Sequence, residues 1–161
     1  MYVVVVIGVW MFITWFEKEI SPLAKFTNVK KTMFHMQKHT VSTTNAPAAI
    51  GPYNQAVIYD QLVFCSGQIG LHPESGEMIG PDTDQQMRQV MKNLGEVLKA
   101  SGTEWQNVLK CTIYLADMND FIVVNDIYAD FFPVEPPARE AVAVKTLPKN
   151  ARVEVSCIAH R

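Results

Sequence analysis

Six apolar residues, Met87, Val90, Met91, Leu94, Val97 and Leu98, recur at offsets of three, four, seven, ten and eleven. On a period of about 3.6 residues these positions form one stripe, so the spacing predicts a helix buried along that face. Thr83 with Gln86 has the form of a capping box, and Gly102 suits the position just past the helix end. Elsewhere the runs are short and β-branched. Gln55 to Tyr59, Leu62 to Ser66, Val108 to Leu115, Ala141 to Lys145 and Arg152 to Ile158 read as strands, with Tyr59-Asp60-Gln61 as a turn. A second helix is expected from Asp120 as its cap, with Phe121, Val124, Tyr128 and Phe131 on one side and prolines at 133, 136 and 137 as its stop. Thr40 to Ile50 reads as an extended lead-in, Gly70 to Pro81 as a loop, and Leu147-Pro148-Lys149-Asn150 as the break between the last two strands.

The resulting order, ββαβαββ, predicts an α+β layer pair in which both helices cover one sheet face. Val108 to Leu115 carries apolar residues on both of its sides. The second sheet face is therefore expected to lie against sister subunits, and clefts between subunits are natural places for small ligands.

Charge divides the chain. From Thr40 onward nine Lys and Arg stand against fourteen Asp and Glu, a net of about −5. Glu17 to His39 carries five lysines and two glutamates. The folded part therefore lacks the basic surplus of a general nucleic-acid binder. Met1 to Phe16 contains no charged side chain. As a helix it reaches ~24 Å at ~1.5 Å per residue, short of a ~30 Å hydrocarbon core. Three readings of residues 1–36 stay open: an extension absent from the working protein, with Met33 or Met36 as the start; a short anchor or targeting segment; a soluble helix packed on the domain. A cytoplasmic protein is expected, with membrane or mitochondrial placement only through that leader. Cys65, Cys111 and Cys157 are an odd count without Cys-x-x-Cys spacing and read as buried, reduced thiols. His35 and His39 are four apart but lie in the leader, and no metal site is expected.

Candidate chemistry centres on Arg139, which follows Pro136-Pro137-Ala138 directly before a strand-like run. A guanidinium presents a planar fork that matches two carboxylate oxygens and stays charged. Glu154 interrupts the apolar alternation of Val153 to Ile158, while Gly51-Pro52-Tyr53 and Cys65-Ser66-Gly67-Gln68 add a phenol, a hydroxyl and a glycine that admits close approach. Together they suggest a site for a small anionic metabolite. Plainer readings remain: Arg139 pairing with Glu154 to staple two strands, Tyr53 as a turn aromatic, Asn125 bonded within its helix. No Ser/His/Asp constellation is evident.

Asn45-Ala46-Pro47-Ala48-Ala49-Ile50-Gly51-Pro52-Tyr53 and Ser66-Gly67-Gln68-Ile69 resemble the RidA/YjgF family of reactive-intermediate deaminases. Asn119-Asp120-Phe121 with Val124-Asn125 and Tyr128, Pro137-Ala138-Arg139, and Leu147-Pro148 leading to Val153-Glu154-Val155 extend the resemblance in order and register. It runs from about Thr40 to His160. The resemblance implies a chorismate-mutase-like homotrimer with clefts between subunits. It implies hydrolysis of 2-imino and enamine acids, such as 2-aminoacrylate and 2-iminobutanoate, to 2-oxo acids and ammonia without metal or organic cofactor. Carried onto this chain, Arg139 would bind the carboxylate and Glu154 would order or activate water. Tyr53 would close the cleft from a neighbouring chain, Ser66 and Gly67 would line it, and Asn125 would support its wall. Ala141 stands where many relatives have cysteine and would act through its backbone carbonyl. Glu140 is expected to point away from Arg139 by strand alternation. Some relatives are described as single-strand endoribonucleases that inhibit translation, and a binding trimer without turnover is a third reading.

Overall fold

The computed structural model describes residues 37–161, so the apolar and lysine-bearing stretches before them lie outside the described residues. Six strands and two α-helices follow in the order β1 (Lys38–Val41), β2 (Ala56–Tyr59), β3 (Leu62–Ile69), α1 (Thr83–Ala100), β4 (Val108–Leu115), α2 (Phe121–Ala129), β5 (Ala138–Ala143) and β6 (Val153–His160). They form one mixed sheet, ordered β1-β2-β3-β6-β4-β5, in which only β4 and β5 run parallel.

The predicted α+β pair is present, with one strand more than expected. β1 begins two residues before the segment that reads as a plain lead-in and takes in its first two residues. Its Lys-His-Thr-Val sequence shows no apolar alternation: three of its four residues are exposed, Val41 alone reaches the core, and backbone pairing with β2 holds the rest. The last strands also shift: β5 starts at Ala138 rather than Ala141, so Arg139 lies within the strand and not before it.

The stripe on α1 behaves as its spacing requires. Met87, Val90, Met91, Leu94 and Val97 are fully buried and Leu98 almost so, against β3 and β6. Truncating a buried Leu or Met typically costs about 2–5 kcal/mol. The capping box does not form. Asp82 is the N-cap without a side-chain bond, Thr83 Oγ1 donates to Asp120 Oδ2 at 2.8 Å, and Gln86 Nε2 donates to the Gly80 carbonyl at 2.7 Å. Asp120 likewise gives α2 no side-chain cap, because its carboxylate pairs with Arg152 at 2.6 Å. Tertiary partners outcompete the local caps at both helix starts. The chain leaves α1 through Gly102 at φ 77°, as expected.

Strand alternation separates two faces. Cys111, Ile113 and Leu115 of β4 and Val153, Val155, Cys157 and Ala159 of β6 point into the core with the helices. Lys110, Thr112 and Tyr114, with Glu154, Ser156 and Ile158, stand half-buried on the other face. That second face carries exposed Tyr59 on β2, Leu62 and Phe64 on β3 and Val142 on β5, and Leu109 at the β4 bulge is exposed as well. The three cysteines fall in one row across β3, β6 and β4, register partners Cys65–Cys157 and Cys157–Cys111, all buried and unbonded. No helix among the described residues is long and apolar enough to cross a membrane.

Candidate functional site

The wall of the main cavity starts from a buried amide. Gln55, three per cent exposed, accepts from the Thr43 amide at 2.6 Å and donates to the carbonyls of Thr43, Ala46 and Pro47 at 3.0, 3.2 and 2.8 Å. The lead-in has no sheet partner over these residues, so this one side chain supplies the bonds that a strand would otherwise provide. It fixes Pro47 and Ala48 as one side of a cavity of about 480 Å³, whose lining includes Tyr53, Ser66, Gly67, Ile69, Leu71 and Glu154. Helix α1 fixes the opposite side. Asn93 Nδ2 donates to the carbonyls of Ile69 and Leu71 at 3.2 and 2.9 Å, holding the chain as it leaves β3.

Gly67 sits where the β3–β6 register shifts between Cys65 and Gln68. A bulge here re-aims the strand. Gly67 lines the cavity, and the Glu154 carboxylate lies against it, so that a methyl group on Gly67 would overlap that carboxylate. Glu154 is half-buried, and burial pushes its carboxyl above the usual range. An acid shifted upward by desolvation is better matched to proton exchange near neutral pH than an exposed one.

Ser66 is fully committed on one side. Its hydroxyl donates to the Asn54 carbonyl at 2.7 Å, which leaves its lone pairs, and not its proton, for a ligand. Tyr53 is partly exposed at the cavity lip, with its phenol oxygen accepting from the Ile50 amide at 3.3 Å. Lys149 and Asn150, both at positive φ, form the turn after Pro148, and Lys149 Nζ ties that lip to the Gly76 carbonyl at 2.9 Å.

Arg139 is elsewhere. It lies opposite Cys111 in the β4–β5 register, on the helix side of the sheet, and its guanidinium carbon stands 4.7 Å from the Tyr128 ring centre. With Asn125, Tyr128, Ala129, Phe132, Pro136 and Pro137 it lines a second cavity of about 390 Å³. The staple reading of Arg139 fails: Glu154 is on the other sheet face, and no carboxylate lies within ion-pair distance of Arg139 among the described residues. Asn125 lines this second cavity and does not reach the first. Ala141 packs its methyl against the core and lines neither cavity. Glu140 points away from Arg139 as alternation predicts, to Lys110 Nζ at 2.6 Å on the other face, and that ammonium holds its carboxyl below the usual range. One chain thus divides the candidate residues between two cavities, Arg139 and Asn125 in one and Ser66, Gly67 and Glu154 in the other, where Tyr53 of the same chain, and not of a neighbouring one, stands at the lip. Sequence reasoning missed Gln55, whose neighbours read only as strand, and Asn93, a polar position beside an apolar stripe.

The family model Endoribonuclease L-PSP matches residues 43–161. The chain belongs to this family. It is 50% identical over 122 residues to the 2-iminobutanoate/2-iminopropanoate deaminase of Mus musculus, covering 76% of this chain and 90% of that protein. It is 48% identical over 134 residues to the chloroplastic Reactive Intermediate Deaminase A of Arabidopsis thaliana, covering 83% of this chain and 72% of that one. Among solved structures, the YjgF gene product of E. coli superposes with a TM-score of 0.73 at 40% identity, covering 76% of this chain and 98% of that chain. The family is the one that the separated sequence motifs indicate, and the mixed sheet with two helices is its fold.

Proposed function

We propose that this member of the family is a hydrolytic deaminase of reactive 2-imino and enamine acids. The observation that carries the reading is the wall formed by Glu154, Gly67 and Ser66, an acid of raised pKa beside a hydroxyl that can only accept, together with relatives of about half-identical sequence named for that activity. The net reaction adds water across C=N and releases ammonia and a 2-oxo acid. An enamine substrate first takes a proton on its terminal carbon to become the imine. Ser66 Oγ, its own proton given to Asn54, accepts a hydrogen bond from the iminium N–H. Glu154 takes a proton from the attacking water and returns one to the departing nitrogen, a role typically worth about 10²–10⁴-fold.

Arg139 binds the substrate carboxylate in this reading, and a bound carboxylate removes much of the entropic cost of placing the C=N bond beside the water. Because Arg139 and Glu154 occupy opposite faces of one sheet, a shared cleft requires two copies of the chain. A homotrimer, in which the Arg139 edge of one copy closes the Glu154 cavity of the next and Tyr53 shuts the mouth, supplies that cleft. The exposed Leu62, Phe64 and Val142 on the second sheet face favour such a seam. Ala141 serves through its backbone and Asn125 supports the wall.

The family description names an endoribonuclease, yet the main cavity of one chain has only Tyr53 and Glu154 as ionisable lining groups. The assembled cleft adds the Arg139 cation, but no histidine lines either this cavity or the one that holds Arg139 to serve as acid or base on a phosphodiester. Release of 2-oxo acid is the test: a serine dehydratase generates the enamine in situ, and the purified protein accelerates oxo-acid appearance beyond the spontaneous rate. No acceleration would overturn the proposal.

A further inference from the structure

The guanidinium of Arg139 is a cation at an exposed strand edge with no acidic partner among the described residues, yet it is not left to wander. Its carbon stands 4.7 Å from the Tyr128 ring centre and 5.8 Å from that of Phe121, both within cation–π range. Tyr128 is itself fixed. It is four per cent exposed and packs at a 37° tilt against Phe132, 4.6 Å between centroids. Its phenol oxygen is buried without an oxygen or nitrogen partner, with the Cys111 thiol as its neighbour. A buried hydroxyl that makes no conventional hydrogen bond adds little to stability, and phenylalanine would fill the same space. What the tyrosine supplies to the site is therefore its ring face.

We propose that Tyr128 is a positioning residue: its ring is a shelf that holds the Arg139 guanidinium flat, so that the N–H edge and not the face of the fork is presented to the substrate carboxylate. A carboxylate on Arg139 would pin the fork more tightly, but substrate would then have to displace it. An aromatic face orients the cation electrostatically and leaves all five N–H donors available. The shelf thus resolves a conflict between holding an arginine still and keeping its hydrogen bonds unspent. The proposal rests on the reading of Arg139 as the carboxylate ligand, and it predicts that binding should follow the electron density of the ring at residue 128 rather than its shape.

The experiment uses the full chain and 2-oxobutanoate, a stable product-type ligand, with its Kd measured by calorimetry. Tyr128→Phe is expected to bind within about twofold of wild type and to melt at the same temperature or higher. Replacing that phenylalanine with its mono-, di- and trifluorinated analogues depletes the ring face at nearly constant volume. Kd should rise stepwise, by about tenfold across the series, with kcat changed less than twofold. In an Arg139→Ala background the same series should be flat. A flat series with Arg139 intact, while Arg139→Ala alone weakens binding, would overturn the shelf and leave the functional reading standing. If Arg139→Ala changes neither Kd nor turnover, the carboxylate role fails first and the shelf with it. Folding is not at risk in this design, because every ring is close in size to the native one.

Discussion

A methyl group at residue 67 would fall in the space that the Glu154 carboxylate occupies, and the atoms it meets are the far end of a flexible side chain. The carboxylate can swing aside where backbone could not. Gly67→Ala is therefore expected to fold with a stability loss within about 1 kcal/mol. Its turnover should drop by about 10²-fold, the scale of a misplaced general acid–base group. Imine hydrolysis beside a melting curve checks both halves, and normal turnover would refute this placement of Glu154. The same carboxylate gives a pH signature. Burial raises its pKa on folding, so it favours the folded state below its unfolded value and loses that benefit as pH rises through the folded one. Glu154→Gln should then melt higher than wild type near pH 8 and lose that advantage near pH 4, while hydrolysing imine poorly at both. Equal melting differences at the two pH values would show that desolvation is not what Glu154 experiences.

At the scale of elements, the lead-in before β2 depends on Gln55 more than on any helix cap. Gln55→Leu strips four hydrogen bonds and leaves the Thr43, Ala46 and Pro47 carbonyls facing an apolar side chain. A loss on the order of 2–3 kcal/mol in urea unfolding is expected, together with weaker 2-oxobutanoate binding as the Pro47–Ala48 wall loosens. Unchanged stability would mean that the lead-in is held by other means. Gln55 also marks the boundary of what the chain discloses. Elements whose stability comes from buried apolar faces were legible: α1 from its stripe, β4 from its β-branched run, β6 from its alternation. β1 was not, since an edge strand with one buried residue, Val41, and otherwise held by backbone pairing leaves no pattern in its side chains. Thr83 and Asp120 read as caps because the local motif is right, yet Arg152, about thirty residues or more away from each, claims both. Of the candidate site, the charged residues Arg139 and Glu154 stand out as polar residues in apolar surroundings. Gln55 and Asn93, which only hold walls in place, look like ordinary amides until the carbonyls they meet are known.

Across the whole molecule, one geometric fact decides what kind of assembly can work. Arg139 lies on the helix side of β5 and Glu154 on the far side of β6, lining separate cavities. A cleft containing both must draw one from each of two copies, so each single variant still carries the other half intact. Arg139→Ala and Glu154→Ala proteins, each inactive alone, should regain activity when unfolded together and refolded as a mixture. In a closed ring each site takes Arg139 from one copy and Glu154 from its neighbour. Random mixing of equal amounts then restores about one quarter of the wild-type sites. Refolding either variant by itself restores none. Oxo-acid release from the mixture, read beside the mass of the assembly in solution, separates the alternatives. Recovery near that fraction would place the chemistry at the seam. No recovery from a mixture that still assembles would mean that the two residues act within one chain or that one of them does not act at all.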